Sequence, residues 1–202
     1  MKLQKSIPIL LCLALFSCNK TKSEIDTIES IQKNDIAIYD KTYADAGDLI
    51  ADFSISLKPT EEEIKEWGEE TIPWINILNA KNQIARLDNP NEIIIKQTTA
   101  KLIIDYPLNN PATIEIKNTN GFTRKDLIEI ISSKYSEIYQ EEEKSAKTKT
   151  IPLDQRKGII NRNETDGKYG IYGHDLSDLD LSGIEVYQNK KGELSIVLQV
   201  ES

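Results

Sequence analysis

Histidine, cysteine and arginine are all scarce in this chain of 202 residues. It contains one His and two Cys, and only four of its 25 basic residues are arginines. A single His cannot supply a two-His metal site such as HExxH, and no P-loop or GxGxxG fingerprint occurs. Arg is the side chain that binds phosphate bidentately, and a net charge of −8 opposes a polyanionic ligand. We therefore expect no metal, no cofactor and no nucleic acid as a partner.

The N-terminal apolar run is too short to span a membrane. Residues 7–16 are apolar apart from the helix-breaking Pro8, whereas a transmembrane helix needs about 20 such residues. Lys2 and Lys5 precede the run, and no acidic residue does. A basic start, a short apolar stretch and a small residue at its end are typical of a secretory signal peptide. The alternative, a buried core helix, fits this pattern less well.

The end of this stretch carries a more specific pattern. Leu15-Phe16-Ser17-Cys18 resembles the lipobox of bacterial lipoproteins. The resemblance implies cleavage before Cys18, a diacylglycerol on its thiol and an acylated amine. One acyl chain holds a protein on a membrane only marginally, whereas two or three hold it stably. Cys12 leaves with the signal peptide on this interpretation, so no disulfide and no free thiol remain.

The chain therefore divides into three parts. Residues 1–17 are expected to be the lipoprotein signal peptide, and residues 18–34 the lipidated Cys18 with a flexible tether, because the stretch after Cys18 is polar without a clear apolar period. A short amphipathic helix with Ile at positions 25, 28 and 31 is the alternative for the tether. Residues 35–202 are expected to form a single domain.

The domain combines strand patterns with one clear helix pattern. Alternating or Ile-rich runs predict strands at residues 52–57, 92–96, 101–106, 112–117, 181–188 and 193–201, with the runs at 92–96 and 101–106 paired to each other. Thr123 can cap the long helix, whose last turn at residues 141–143 is expected to be solvated. Its apolar stripe consists of Leu127, Ile130, Ile131, Tyr135 and Ile138. The sequence predicts an α+β fold, a mostly antiparallel sheet of hairpins packed on one long helix.

Unusual residues collect in the segment 161–179. It contains three of the nine Gly, two of the eight Tyr and the single His, in the order NRNETDGKYGIYGHDLSDL. This segment resembles a motif shared by uncharacterised proteins of plants and bacteria, in which a GIYGHDLSDL-type sequence recurs. The resemblance extends back to the capped helix and to the IIDYPLNNP stretch. That family has no assigned activity, so the resemblance implies a shared domain and no mechanism.

Three interpretations of residues 161–179 remain open. In the first, the segment is a compact turn packed on the sheet by Tyr169 and Tyr172. In the second it is a binding loop, since Tyr, Asn, Asp and Gly on a rigid scaffold often carry recognition. In the third, His174 forms an acid–base pair with a neighbouring carboxylate. The candidate binding residues are Arg162, Tyr169, Tyr172 and His174, and the candidate catalytic residues are His174, Asp175 and Asp178.

A calcium loop is a weaker alternative next to this segment. Residues 178–183 place oxygen side chains at positions 1, 3 and 5 and Gly at position 6, as an EF-hand loop does. Position 12 is Asn189, where a bidentate Glu is needed. The flanking residues also predict strands, so we expect no metal here.

Taken together, these patterns predict a membrane-anchored bacterial lipoprotein whose domain acts as a binding or interaction module in the cell envelope. Its partners are expected to be the membrane, through the lipidated Cys18, and an envelope protein or a small ligand at residues 161–179. The alternative is a carboxylate/His-dependent hydrolase with its site around His174. Asp105, next to Tyr106 at the end of a strand, is the other position of interest.

The predicted lipidation can be measured directly. Labelled fatty acid should enter the wild-type chain and be absent from Cys18→Ala, because Cys18 is the acceptor. Cys12→Ala is the matched control and should label like the wild type, since Cys12 lies in the part that is cleaved off. Equal labelling of the wild type and Cys18→Ala contradicts the prediction.

Overall fold

The computed structural model describes residues 33, 36–68, 70–158 and 161–202. The predicted signal peptide, Cys18 and almost all of the predicted tether lie outside the described residues and stay predictions. Ile38–Ser202 form one compact unit. Among the described residues, no helix is long and apolar enough to cross a membrane.

The described elements are eight strands and four helices. In chain order they are α1 (residues 36–43), β1 (Asp48–Ser54), α2 (Glu61–Trp67), β2 (Ile75–Asn76), α3 (Ala80–Gln83), β3 (Ile93–Ile95), β4 (Thr99–Ile104), β5 (Ala112–Lys117), β6 (Phe122–Thr123), α4 (Arg124–Ser145), β7 (Asp180–Gln188) and β8 (Leu194–Glu201). Short 3₁₀ turns occur at Ile84–Arg86, Leu153–Gln155 and Leu176–Asp178.

The main sheet has the strand order β1-β7-β8-β4-β5, with the short β2 also paired to β7. Every pair is antiparallel except β4 with β8, which are parallel neighbours at Lys101–Ser195 and Leu102–Ile196. This parallel contact joins the β4–β5 hairpin to the β7–β8 hairpin. The predicted α+β class, a mostly antiparallel sheet with one long helix, is confirmed.

One predicted strand pairing is wrong. β3 does not pair with β4; it pairs with β6 in a separate two-stranded sheet. Gly121 makes this approach possible, because its φ is +77° and a Cβ there would lie 2.4 Å from the Ile95 carbonyl oxygen. The sequence does not reveal such a backbone contact, since it depends on two residues 26 positions apart.

Helix α4 begins at the predicted cap and covers one face of the main sheet. The Thr123 hydroxyl accepts a hydrogen bond from the Asp126 amide at 3.1 Å, and the Asp126 carboxylate accepts one from the Thr123 amide at 3.0 Å, which completes a capping box. Ile128 is fully buried, whereas the predicted Ile130 is only half-buried. The buried residues of the helix are Leu127, Ile128, Ile131, Tyr135, Ile138 and Glu142.

Helix α1 contacts the opposite face of the sheet. Ile103 alternates with Leu102 and Ile104 along β4, so it faces away from α4, and yet it is buried. The Tyr43 hydroxyl of α1 donates a hydrogen bond of 2.5 Å to Asp105, just after β4. Burial, together with this hydrogen bond, raises the pKa of Tyr43 well above its usual range. Asp105 therefore fixes α1 to the sheet.

Tyr135 provides a test of how α4 is held on the sheet. Its ring is 1 % exposed, its hydroxyl donates to the Tyr106 carbonyl oxygen at 2.9 Å, and burial raises its pKa well above the usual range. Tyr135→Phe should lower the free energy of unfolding by about 1–2 kcal/mol, because it leaves that buried carbonyl unpaired. Urea denaturation measures this, with exposed Tyr39→Phe as the control. An unchanged midpoint for Tyr135→Phe contradicts the assignment.

Candidate functional site

Residues 161–179 connect the region after α4 to β7 and lie against the residues that follow β4. The backbone of 169–172 runs beside residues 107–110, with hydrogen bonds from Asn109 N to Gly170 O and from Asn110 N to Tyr169 O, both 2.9 Å. Ile171 is fully buried at the centre of this contact. The segment 161–179 and the IIDYPLNNP stretch are thus neighbours in the structure.

The carboxylate of Glu142, in the last turn of α4, is hydrogen-bonded to the backbone of this segment. It accepts hydrogen bonds from the amides of Gly167 at 2.8 Å, Tyr169 at 2.7 Å and Gly170 at 3.1 Å. Burial raises the pKa of Glu142, but the Thr165 hydroxyl and these three amides together lower it by more, so the pKa lies below its ordinary value. The prediction of a solvated helix end at residues 141–143 is wrong for Glu142, which is 0 % exposed.

Gly167 allows this close approach. A Cβ at position 167 would lie 2.7 Å from both the Glu142 carboxylate and the Ser145 hydroxyl. Gly170, with φ of +63°, is in a region that other residues rarely adopt. Gly167 therefore serves the packing of this segment against α4.

Two arginines and one aspartate hold the second half of the segment. Arg156 donates two parallel hydrogen bonds to Asp175, at 2.7 and 2.9 Å, and the Arg162 Nε lies 3.9 Å from the same carboxylate. Asp178 accepts a hydrogen bond from the Asp175 amide at 2.9 Å and so caps the 3₁₀ turn Leu176–Asp178. Both candidate catalytic carboxylates thus have partners within the fold.

Arg162, a candidate binding residue, points into the protein. Its side chain donates to the Ile171 carbonyl at 3.0 Å and to the Thr150 hydroxyl at 2.6 Å, and its guanidinium lies 5.6 Å from the centre of the Tyr139 ring. Burial lowers its pKa, opposed by the charges of Tyr139 and Asp175. At 5 % exposure, Arg162 stabilises the segment from inside.

Tyr172 and His174 lie together with Tyr106, a residue not predicted as a binding residue. The Tyr106 ring meets Tyr172 edge-on at 6.1 Å and lies 5.6 Å from the His174 ring. Ser202 lies 2.8 Å from the Tyr106 hydroxyl and 3.3 Å from His174 Nε2. We call Tyr106, Tyr172 and His174 the aromatic patch; all three side chains are half-buried. The feature of the sequence that pointed to Tyr106 is its position beside Asp105 at the end of a predicted strand.

Tyr169 lies apart from this patch. Its hydroxyl donates to Glu141 at 2.7 Å, and the Lys168 ammonium lies 4.8 Å from the centre of its ring. The four predicted binding residues therefore do not share one cavity. Arg162 is internal, Tyr169 contacts the exposed side of α4, and Tyr172 and His174 form the surface with Tyr106.

A polar depression of about 410 Å³ adjoins the segment, lined by residues that include Asn109, Glu164, Asp166 and Gly167. The amide of Asn109 donates to Glu164 at 2.6 Å across it. In the described part of the chain, no cluster of three or more His, Cys, Asp or Glu side chains could hold a metal ion. The calcium-like residues Asp178 and Asp180 belong to the 3₁₀ turn and to β7.

Comparison of the chain with protein-family models, curated proteins and solved structures gives no match. Any inference about function therefore depends on the positions and contacts of the residues described above. Within the described residues, the His174 ring contacts Tyr106 and Ser202, and no carboxylate is hydrogen-bonded to it. A hydrolase centred on His174 stays a prediction from the sequence.

Glu142→Gln tests the tie between α4 and the segment. At pH 7 it should lower the free energy of unfolding by about 2–4 kcal/mol, because an amide replaces a charged acceptor that faces several buried donors. A depressed pKa in the folded state means that the stabilisation is present above the unfolded pKa of about 4.3 and is lost as the pH falls through the folded value. The wild type and the variant should therefore converge in acid.

Glu129→Gln is the matched control for that experiment, since Glu129 is an exposed residue of the same helix and pairs with Lys125 one turn earlier. Urea denaturation at pH 7 and again below pH ~4 gives both comparisons. Equal effects of the two substitutions at pH 7, or a difference that persists unchanged in acid, contradict the assigned role of Glu142.

Proposed function

We propose that this protein is a lipid-anchored binding module of a bacterial cell envelope and that the aromatic patch is its recognition surface. The anchor rests on the lipobox at Cys18, which lies outside the described residues. The recognition surface rests on the contacts of Tyr106, Tyr172 and His174. The two parts of the proposal are independent and have separate tests.

The rigid support of the aromatic patch is the observation that carries the proposal. Tyr106 follows β4, and its carbonyl accepts the hydrogen bond from buried Tyr135. The His174 carbonyl accepts a hydrogen bond of 3.0 Å from the Tyr139 hydroxyl of α4. The patch is thus fixed to α4 from both sides. Aromatic side chains held in this way provide contact area at a low cost in conformational entropy.

The chemistry of the patch favours binding over catalysis. Two phenol rings, an imidazole and the nearby Ser202 hydroxyl offer apolar faces with polar edges, as recognition surfaces often do. An acid–base mechanism needs a carboxylate that orients the His ring. The nearest candidate in sequence, Asp175, is instead engaged by Arg156. The partner we infer is an envelope protein or a small ligand with an apolar surface.

Photo-crosslinking in intact cells tests the recognition surface. A benzophenone amino acid at position 172 of the full chain should form an adduct with the partner, because this position is in the patch. The same amino acid at position 117 is the control, since Lys117 is exposed and pairs with Thr99 at the opposite end of β4 from Tyr106. No adduct at 172, or equal adducts at both positions, contradicts the proposal.

His174→Gln then separates binding from catalysis. Gln keeps a hydrogen-bonding group but cannot titrate near neutral pH. We expect the adduct at position 172 to persist in His174→Gln and to fall sharply in Tyr106→Ala, with urea denaturation to check that both variants fold. Loss of the adduct in folded His174→Gln, together with turnover of the captured molecule by the wild type, favours the hydrolase.

A further inference from the structure

Positive charge is concentrated in one loop of this acidic protein. Residues 144–158 contain four lysines, one arginine and a single acidic residue, Asp154. The local charge is therefore +4 in a chain whose net charge is −8. We call residues 144–158 the basic loop. It follows directly from the last turn of α4.

The basic loop also exposes two large aliphatic side chains. Ile151 is 44 % exposed and Leu153 is 62 % exposed, and Leu153 begins the 3₁₀ turn Leu153–Gln155. Exposed aliphatic residues among lysines are typical of protein segments that lie in the interface of a membrane. A single exposed aliphatic side chain is common on protein surfaces. Here two of them, Ile151 and Leu153, lie among basic residues.

Hydrogen bonds hold the backbone of this loop so that the aliphatic side chains stay outside. The Ile151 amide donates to the Asn163 side chain at 2.8 Å, and the Arg156 Nε donates to the Ile151 carbonyl at 2.8 Å. Arg156 is itself bound to Asp175. The exposure of Ile151 and Leu153 is thus a property of a fixed turn.

Three acidic side chains next to the loop accept hydrogen bonds from backbone amides or from a hydroxyl group. Glu142 accepts from the amides of Gly167, Tyr169 and Gly170, Glu143 accepts from the Thr150 hydroxyl at 2.9 Å, and Asp166 accepts from the amides of Lys147 and Thr148. Among the described residues, the ammonium groups of Lys144, Lys147 and Lys157 form no ion pair. These three ammonium groups are therefore available to an anionic surface.

We propose that the basic loop docks the domain on a membrane surface that contains anionic phospholipid, with the lysines at the headgroup phosphates and Ile151 and Leu153 among the acyl chains. The proposal rests on the lipid anchor at Cys18, which keeps the domain near a bilayer. Residues 18–36 span at most about 60 Å when fully extended, so the anchor limits how far the domain can move away. The loop adds a second contact that orients the domain.

A photoreactive diazirine amino acid at position 153 of the full chain tests this contact in cells with phosphate-labelled lipid. We expect a phospholipid adduct at position 153. Position 64 is the matched control, because Ile64 is 49 % exposed but lies beside Glu61, Glu62 and Glu63. No phospholipid adduct is expected there.

Removing lysines should weaken the contact in a predictable way. Each Lys near an anionic surface contributes a factor of about five in binding. Lys147→Gln with Lys157→Gln should therefore weaken the contact about 25-fold and reduce the lipid adduct at position 153 accordingly. The control pair is Lys65→Gln with Lys117→Gln, which lie on α2 and β5, and it should leave the adduct unchanged.

The possible outcomes separate this inference from the proposed anchor. Three results in a chain that incorporates labelled fatty acid overturn the docking of the basic loop and leave the anchor intact. They are the absence of a lipid adduct at 153, equal lipid adducts at 153 and 64, and a protein adduct at 153. A chain that incorporates no fatty acid overturns the anchor. A lipid adduct at 153 in such an unlabelled chain would still support the basic loop as a membrane contact.

Discussion

The buried carboxylate of Glu142 is the interaction on which the candidate site depends. An ionised carboxylate is costly inside a protein unless hydrogen bonds replace the water it loses. Here the donors are the backbone amides of Gly167, Tyr169 and Gly170, more than 20 positions further along the chain. The same contact satisfies amides of an irregular turn that would otherwise be buried without acceptors. The turn is therefore as fixed as α4, and α4 is fixed to the sheet through its buried stripe.

The arginines of this chain are used for structure, which leaves lysine to form its basic surface. Each of the four arginines forms an ion pair, with Glu63, Glu92 or Asp175. The ion pairs of Arg86, Arg124 and Arg156 join residues that are far apart in the sequence. Arg162 is also buried. An arginine engaged in this way already holds a carboxylate in place of a phosphate ligand. The free cations of the basic loop are lysines, which act on anionic surfaces through charge rather than through bidentate geometry.

The sequence predicted local features well because their causes are local. The cap at Thr123 and most of the apolar stripe of α4 follow from residues three or four positions apart. The partner of β3 and the parallel contact of β4 with β8 were not predicted, since they depend on tertiary packing. Glu142 was detectable in principle: it lies four positions after Ile138 and continues the buried stripe. Its neighbours are also Glu, however, and only the distant amides distinguish it.

The Arg156–Asp175 ion pair links the two proposed surfaces. Arg156 belongs to the basic loop, and Asp175 directly follows His174 of the aromatic patch. Two parallel hydrogen bonds fix the relative orientation of guanidinium and carboxylate, so they connect the loop directly to the residue that follows His174. A lipid tether alone lets a domain rotate freely above the bilayer. If the basic loop also rests on that bilayer, the aromatic patch is presented at a fixed angle to the membrane. Recognition then needs less ordering of the domain when a partner in the same membrane is bound.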